Sequence, residues 1–144
     1  MTHAVVEWLL GNNAIKTMVG NNDSADTYKV YQAIVPQNEK PPYICIRVMD
    51  LTPWTCKGQA TTEEVDAIQI DCYANSYKDT YMLYRAVRQT IDGQSFISSD
   101  GTELRGQIRG GRDYTEGEML EVGKRGMYGI VSTYEVEVKL GDIT

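Results

Sequence analysis

Residues 63–92 read EEVDAIQIDCYANSYKDTYMLYRAVRQTID, and midway through this stretch the spacing of the apolar side chains changes. From Glu63 to Ala74 the period is two: Ile68, Ile70 and Cys72 point one way, while Ala67, Gln69, Asp71 and Tyr73 point the other. That alternation is the mark of a strand with one face on a core. From Ser76 the period lengthens to that of a helix. Leu83, Val87 and Ile91 with Ala86 form a stripe opposite Lys78, Arg85 and Gln89, and Ser76 followed by Asp79 resembles a capping box. A helix is therefore predicted over 76–92, closed by Asp92-Gly93.

The same two periods place the rest of the chain. Upstream, runs rich in β-branched and aromatic residues predict strands over about 28–35 and 43–51, separated by a turn at Pro36 to Pro42. In the second run Ile44, Ile46 and Val48 oppose Tyr43, Cys45 and Arg47. Two short helices are expected within 2–19. The first carries Val5, Trp8 and Leu9; the second spans Ala14 to Val19, capped by Asn13 and ended by Gly20 in a left-handed conformation. Residues 52–62 read as a loop.

Downstream, Asp100-Gly101 is a hairpin dipeptide between Phe96-Ile97 and Leu104. A strand over about 104–114 carries Gly106, Gly110 and Gly111, which suggest bulges or a close backbone approach. The acidic segment 115–123 is expected to loop out. The last strand, about 127–140, alternates Tyr128, Ile130, Tyr134, Val136, Val138 and Leu140 with polar residues. It is longer than the usual strand of about five or six residues, so it is expected either to bend strongly or to project past its own sheet. The fold class is α+β: a mainly antiparallel sheet with helices packed on one face, in a single domain over 1–144.

The composition restricts function. The chain has 144 residues, 42% of them apolar, and 14 − 20 = −6 formal charges. A negative balance argues against a protein whose main work is gripping phosphate backbones. No apolar run approaches the length of a membrane span, and the first basic residue, Lys16, comes late for a secretory leader, so synthesis in the cytosol is expected. Cys45, Cys56 and Cys72 form no CxxC pair and read as reduced thiols. His3 is the only histidine, which removes triads, Cys/His dyads and His-containing zinc sites from the body of the fold.

What remains is sparse. Glu63, Glu64, Asp66 and Asp71 are a candidate acid/base or cation cluster, but alternation puts Asp66 and Asp71 on opposite faces, and a solvated strand end is the simpler reading. Cys56 reads as a plain exposed thiol. Arg105, Arg109, Arg112, Lys124 and Arg125 are the one basic grouping, with Glu116, Glu118 and Glu121 nearby to form surface ion pairs. Ten tyrosines are the one enrichment. Tyr73, Tyr77, Tyr81 and Tyr84 surround the strand-to-helix junction, where several are expected to cover the core and one or two to serve as exposed anchors.

The run Tyr31-Gln32-Ala33-Ile34-Val35-Pro36-Gln37, then Pro41-Pro42-Tyr43-Ile44, then Gln69-Ile70-Asp71-Cys72-Tyr73-Ala74 before a helix ending Asp92-Gly93, and finally Asp113-Tyr114 ahead of the last strand, form an ordered pattern. In order and spacing it resembles the tail completion, or tail terminator, proteins of long-tailed bacteriophages, over most of the chain from about Tyr28. The resemblance implies a structural virion protein, not an enzyme, with no cofactor and no metal. It implies a homo-oligomer, a hexameric ring, that caps the tail tube, ends tail polymerisation and provides the head-tail joining surface. The implied partners are the tail-tube protein and the head-tail connector protein, with DNA only in passage through the ring and no membrane. The implied location is the head-proximal end of the tail, and the host cytoplasm during assembly.

On that reading the expected interface residues are Trp54 and Lys57 on the 52–62 loop, Glu116 and Glu118 on the 115–123 loop, and Arg112 and Tyr128. Trp54 has no periodic core role and is the strongest anchor among them. Three other readings stay open: another head-tail connector or tail-tube component, a small carboxylate-dependent metal enzyme using Glu63, Glu64 or Asp71, and a small-ligand binding module on the sheet.

Overall fold

The computed structural model describes residues 2–20, 28–36, 39–53, 63–109, 118–122 and 127–139. Its elements follow in the order α1 (Thr2–Leu10), α2 (Asn13–Met18), β1 (Val30–Gln32), β2 (Tyr43–Pro53), β3 (Glu63–Ala74), α3 (Tyr77–Ile91), β4 (Ser95–Ile97), β5 (Glu103–Ile108), β6 (Glu118–Val122) and β7 (Met127–Lys139). One sheet runs β1-β2-β3-β7-β5-β4, with β6 also paired to β7. Every pairing is antiparallel except β1 with β2, which is parallel. The class is the expected α+β.

The alternation in the deciding stretch sets the register. On one face Ile44, Ile46 and Val48 stand opposite Cys72, Ile70 and Ile68, and these stand opposite Ile130, Ser132 and Tyr134 of β7. The helices bury their apolar stripes on this face, with Val5, Trp8 and Leu9 from α1, Ile15 from α2, and Leu83, Tyr84, Val87 and Ile91 from α3. Burying these side chains supplies most of the stabilisation. Ser76 caps α3 as expected, its hydroxyl accepting from the Asp79 amide at 3.2 Å. Gly106 is the predicted close approach. A Cβ there would lie 2.3 Å from Ile91 Cγ2 and 3.1 Å from the Trp8 ring, which itself stacks on Phe96 at 5.9 Å.

Several expectations are corrected. The cap of α2 is Asn12, not Asn13; its side chain accepts from the Ala14 amide at 2.9 Å and donates to Thr90 Oγ1 at 2.8 Å, tying α2 to α3. The positive-φ glycines among the described residues are Gly93 and Gly101, so Gly20 does not end the helix in a left-handed conformation. β1 covers only Val30–Gln32 of the expected 28–35; it stops short of 35 because Ala33 turns to φ 66, its amide making a last bond to the Ile46 carbonyl at 2.8 Å. β5 ends at Ile108, short of 114. The 115–123 segment does not simply loop out, since β6 lies within it and pairs with the first half of β7.

That last pairing explains the length of β7. Its residues Tyr128–Lys139 pair with β3 along one edge, while β5 and β6 follow each other along the opposite edge. β7 is thus a central spine, and its paired residues do not project past the sheet. No helix among the described residues is long and apolar enough to cross a membrane.

Candidate functional site

The sheet ends carry the chemistry. At the end where β3 begins and β7 finishes, the tips of β3, β4, β5 and β7 enclose a cleft of about 390 Å³. Ile97 and Phe96 contribute accessible apolar surface above buried Leu104 and Val138, and Glu63, Glu103 and Glu137 stand opposite Lys139 and Arg105, with Glu64 on the other face. Register explains the mixture: Glu64, Val138, Leu104 and Phe96 form one cross-strand row, and Glu63, Lys139, Glu103 and Ile97 the next. Ile97 is 66% exposed on the short edge strand β4.

One rung inward from Glu64 on the core face lies Asp66, opposite Val136. Alternation places it inward, as expected, but it is no solvated strand end. It is fully buried, and neither carboxyl oxygen has a hydrogen-bond partner. Burial, reinforced by the Glu64 carboxylate and by Asp50, pushes its pKa from 3.8 up to about 7. Asp71 is also buried, on the other face. Its burial raises its pKa, against a 2.9 Å hydrogen bond from Gln69 and the Arg47 guanidinium at 3.8 Å. The two carboxylates do not converge. Among the described residues no three His, Cys, Asp or Glu side chains are grouped so as to hold a metal ion.

The face around Asp71 is more covered than its polar alternation suggests. Tyr43 and Tyr73 pack at 4.9 Å and Tyr31 meets Tyr43 edge-on at 6.3 Å, over a buried Cys45. The Tyr31 hydroxyl donates to Glu39, which Lys29 also approaches at 3.3 Å. Burial, with Glu39 alongside, raises Tyr31 to about 12; the Tyr31 hydrogen bond in turn lowers Glu39. Cys45 and Cys72 are free and buried on opposite faces, and burial raises the Cys72 thiol. His3 bonds Asp100 at 2.9 Å on the surface.

At the opposite end of the sheet, α3 starts beside the last residues of β3, and its Thr80 hydroxyl reaches the Tyr128 carbonyl at 3.3 Å. Here the tyrosines divide, but only Tyr84 of the four covers the core, not several. Tyr84 is buried, Tyr73 is half-buried, and Tyr77 and Tyr81 are 58% and 40% exposed. Tyr77 and Tyr81 stack at 6.4 Å with nearly parallel planes, and Tyr81 meets Tyr84 at 6.0 Å. Beside them on the outer face stand Lys78, Met82 and Arg85, all exposed. Exposed tyrosine, methionine and arginine together are the composition of interface cores.

Of the interface residues expected from sequence, Tyr128 is half-buried in β7, opposite Ala74 and Glu121, and its carbonyl receives the Thr80 bond. Glu118 opens β6, paired with Val131. Trp54, Lys57, Arg112 and Glu116 lie outside the described residues, as do Cys56, Lys124 and Arg125. Arg105 and Arg109 are exposed, and Arg105 stands opposite Glu137. Sequence reading missed the sheet-end cleft, because four separate strand tips form it. It also missed the burial of Asp66, for which the inward alternation was the available signal.

Comparison with known proteins bears on the family and the fold. Residues 3–133 match the family model described as tail completion protein gp17. No curated protein matches the chain. A chain in the solved structure titled "Virion of native gene transfer agent (GTA) particle" shares the fold, with a TM-score of 0.64 and 18% identity over 96% of this chain and 94% of that one.

Proposed function

The chain belongs to the tail completion protein gp17 family, a family of phage tail structural proteins, and we propose that it closes into a homohexameric ring capping the head-proximal end of the tail tube. In that position it ends tail polymerisation and provides the surface that joins the head connector. The observation that carries this reading is the family match, which runs from α1 into the middle of β7 and so takes in nearly every element of the fold. The role is one of assembly, with no catalytic step. DNA passes through the ring without being held, which suits a chain with net charge −6.

Ring closure requires heterologous contacts, in which one patch of a copy meets a different patch of the next. Deleting the gene for this chain from the particle that carries it tests the proposal. The expected result is tails of uncontrolled length and unjoined heads, both restored by a supplied copy. Tails of normal length joined to heads in the deletion would refute it.

A further inference from the structure

We propose that the exposed basic and tyrosine-bearing face of α3 docks into the acidic cleft at the far sheet end of a second copy of this chain. This rests on the ring reading and assigns it surfaces. The α3 face presents Tyr77, Tyr81 and Met82 with Lys78 and Arg85. The cleft presents apolar Ile97, 66% exposed, and half-buried Phe96 beside a rim where four glutamates outnumber two basic residues. The two surfaces therefore match in both terms that govern recognition: apolar side chains meet apolar side chains, and positive charge meets a negative excess. A lysine or arginine entering the cleft lays its aliphatic stem on Ile97 and leaves its charge beside Glu63 and Glu103 of the same cross-strand row.

The two surfaces cannot satisfy each other within one molecule. Tyr77 follows the end of β3, whereas the cleft lies where β3 begins. At about 3.3 Å per residue the start of α3 is roughly 30 Å from the cleft along β3, and Arg85, eight residues along the returning helix, is still roughly 18 Å away, about two Debye lengths at physiological salt. Complementary patches at opposite ends of one subunit define a head-to-tail contact, which repeats until it closes. Within the chain the charges are only partly matched. Arg105 stands opposite Glu137 and Lys139 opposite both Glu63 and Glu103, so the rim keeps its acidic excess.

Charge reversal at each end provides the test. One variant carries Lys78→Glu with Arg85→Glu, the other Glu103→Lys with Glu137→Lys. All four positions are exposed, so both variants are expected to fold, and far-UV circular dichroism with a thermal melt verifies this. Each variant alone is expected to self-associate at least about tenfold more weakly than the wild-type chain in sedimentation at low salt. Mixed in equal amounts they are expected to regain assemblies larger than dimers, since every junction then pairs opposite charges. Wild-type association is expected to weaken as salt rises. Assemblies that form normally in both variants overturn this surface assignment while leaving the ring itself standing. A mixture that fails to assemble overturns it as well, and a wild-type chain that is monomeric at every concentration and salt overturns self-association altogether.

Discussion

Asp66 makes folding stability depend on pH in a direction opposite to that of most carboxylates. Its pKa is about 7 in the folded chain against 3.8 for an ordinary aspartate. The folded protein therefore keeps a proton through a range where the unfolded chain has lost it. The sign follows from linkage: stability from this group is full below about pH 4 and declines as pH rises, and the loss is complete above about pH 7. Three pH units at about 1.4 kcal/mol each give a loss on the order of 4 kcal/mol. Asp71, raised by burial, acts in the same direction, whereas Glu39 and Asp100, both lowered, act in the opposite one. Asp66→Asn isolates the group, since an amide fills the site without titrating. Urea unfolding followed by tryptophan fluorescence between pH 4 and pH 8.5 is the assay. Relative to wild type, the variant is expected to gain about 4 kcal/mol across that range, equivalent to roughly 10 °C in melting temperature. A variant whose stability falls with pH as steeply as the wild-type chain would refute the argument.

Two other substitutions follow from the same geometry, and a third from the sequence alone. Gly106→Ala places a Cβ 2.8 Å from the Ile91 carbonyl oxygen as well as 2.3 Å from its side chain. Hydrogen bonds to Gly93 and Gln94, both at 3.0 Å, hold the backbone in place. A loss of about 1–3 kcal/mol is expected in denaturant titration, and unchanged stability would contradict the packing. Tyr134→Phe removes a buried hydroxyl that has no hydrogen-bond partner. It is expected to leave stability unchanged or raise it by up to about 1 kcal/mol, and a clear loss on melting would show that the hydroxyl is bonded. Trp54→Ala is expected to preserve the circular dichroism spectrum while lowering the yield of joined particles in complementation; full joining would remove Trp54 as an anchor.

Where local chemistry decides, the sequence was legible. The two-residue period of Glu63–Ala74 gives β3 its bounds and faces, and the Ser76 hydroxyl marks the start of α3 within one residue. Tyr77 and Tyr84, seven residues apart, fall on nearly the same side of α3, so the period alone does not tell that Tyr84 is buried and Tyr77 exposed. What was not legible depends on distant parts of the chain. β6 forms because β5 covers only part of one edge of β7, leaving ladder positions open to an acidic segment that looks like a loop by itself. Asp66 points inward by alternation, yet its complete burial depends on what packs over that end of the sheet. The cleft draws its lining from four strand tips separated by up to 76 positions, Glu63 to Lys139, so no single window of sequence contains it.

The proposed role is positional, one ring of this chain at the junction of tail tube and head. Cryo-electron microscopy of assembled particles carrying a tagged copy of the chain tests it most directly. Tag density is expected in a single six-fold layer between the last tube ring and the head connector. Density repeated along the tube, or confined to the head side of the connector, would contradict it.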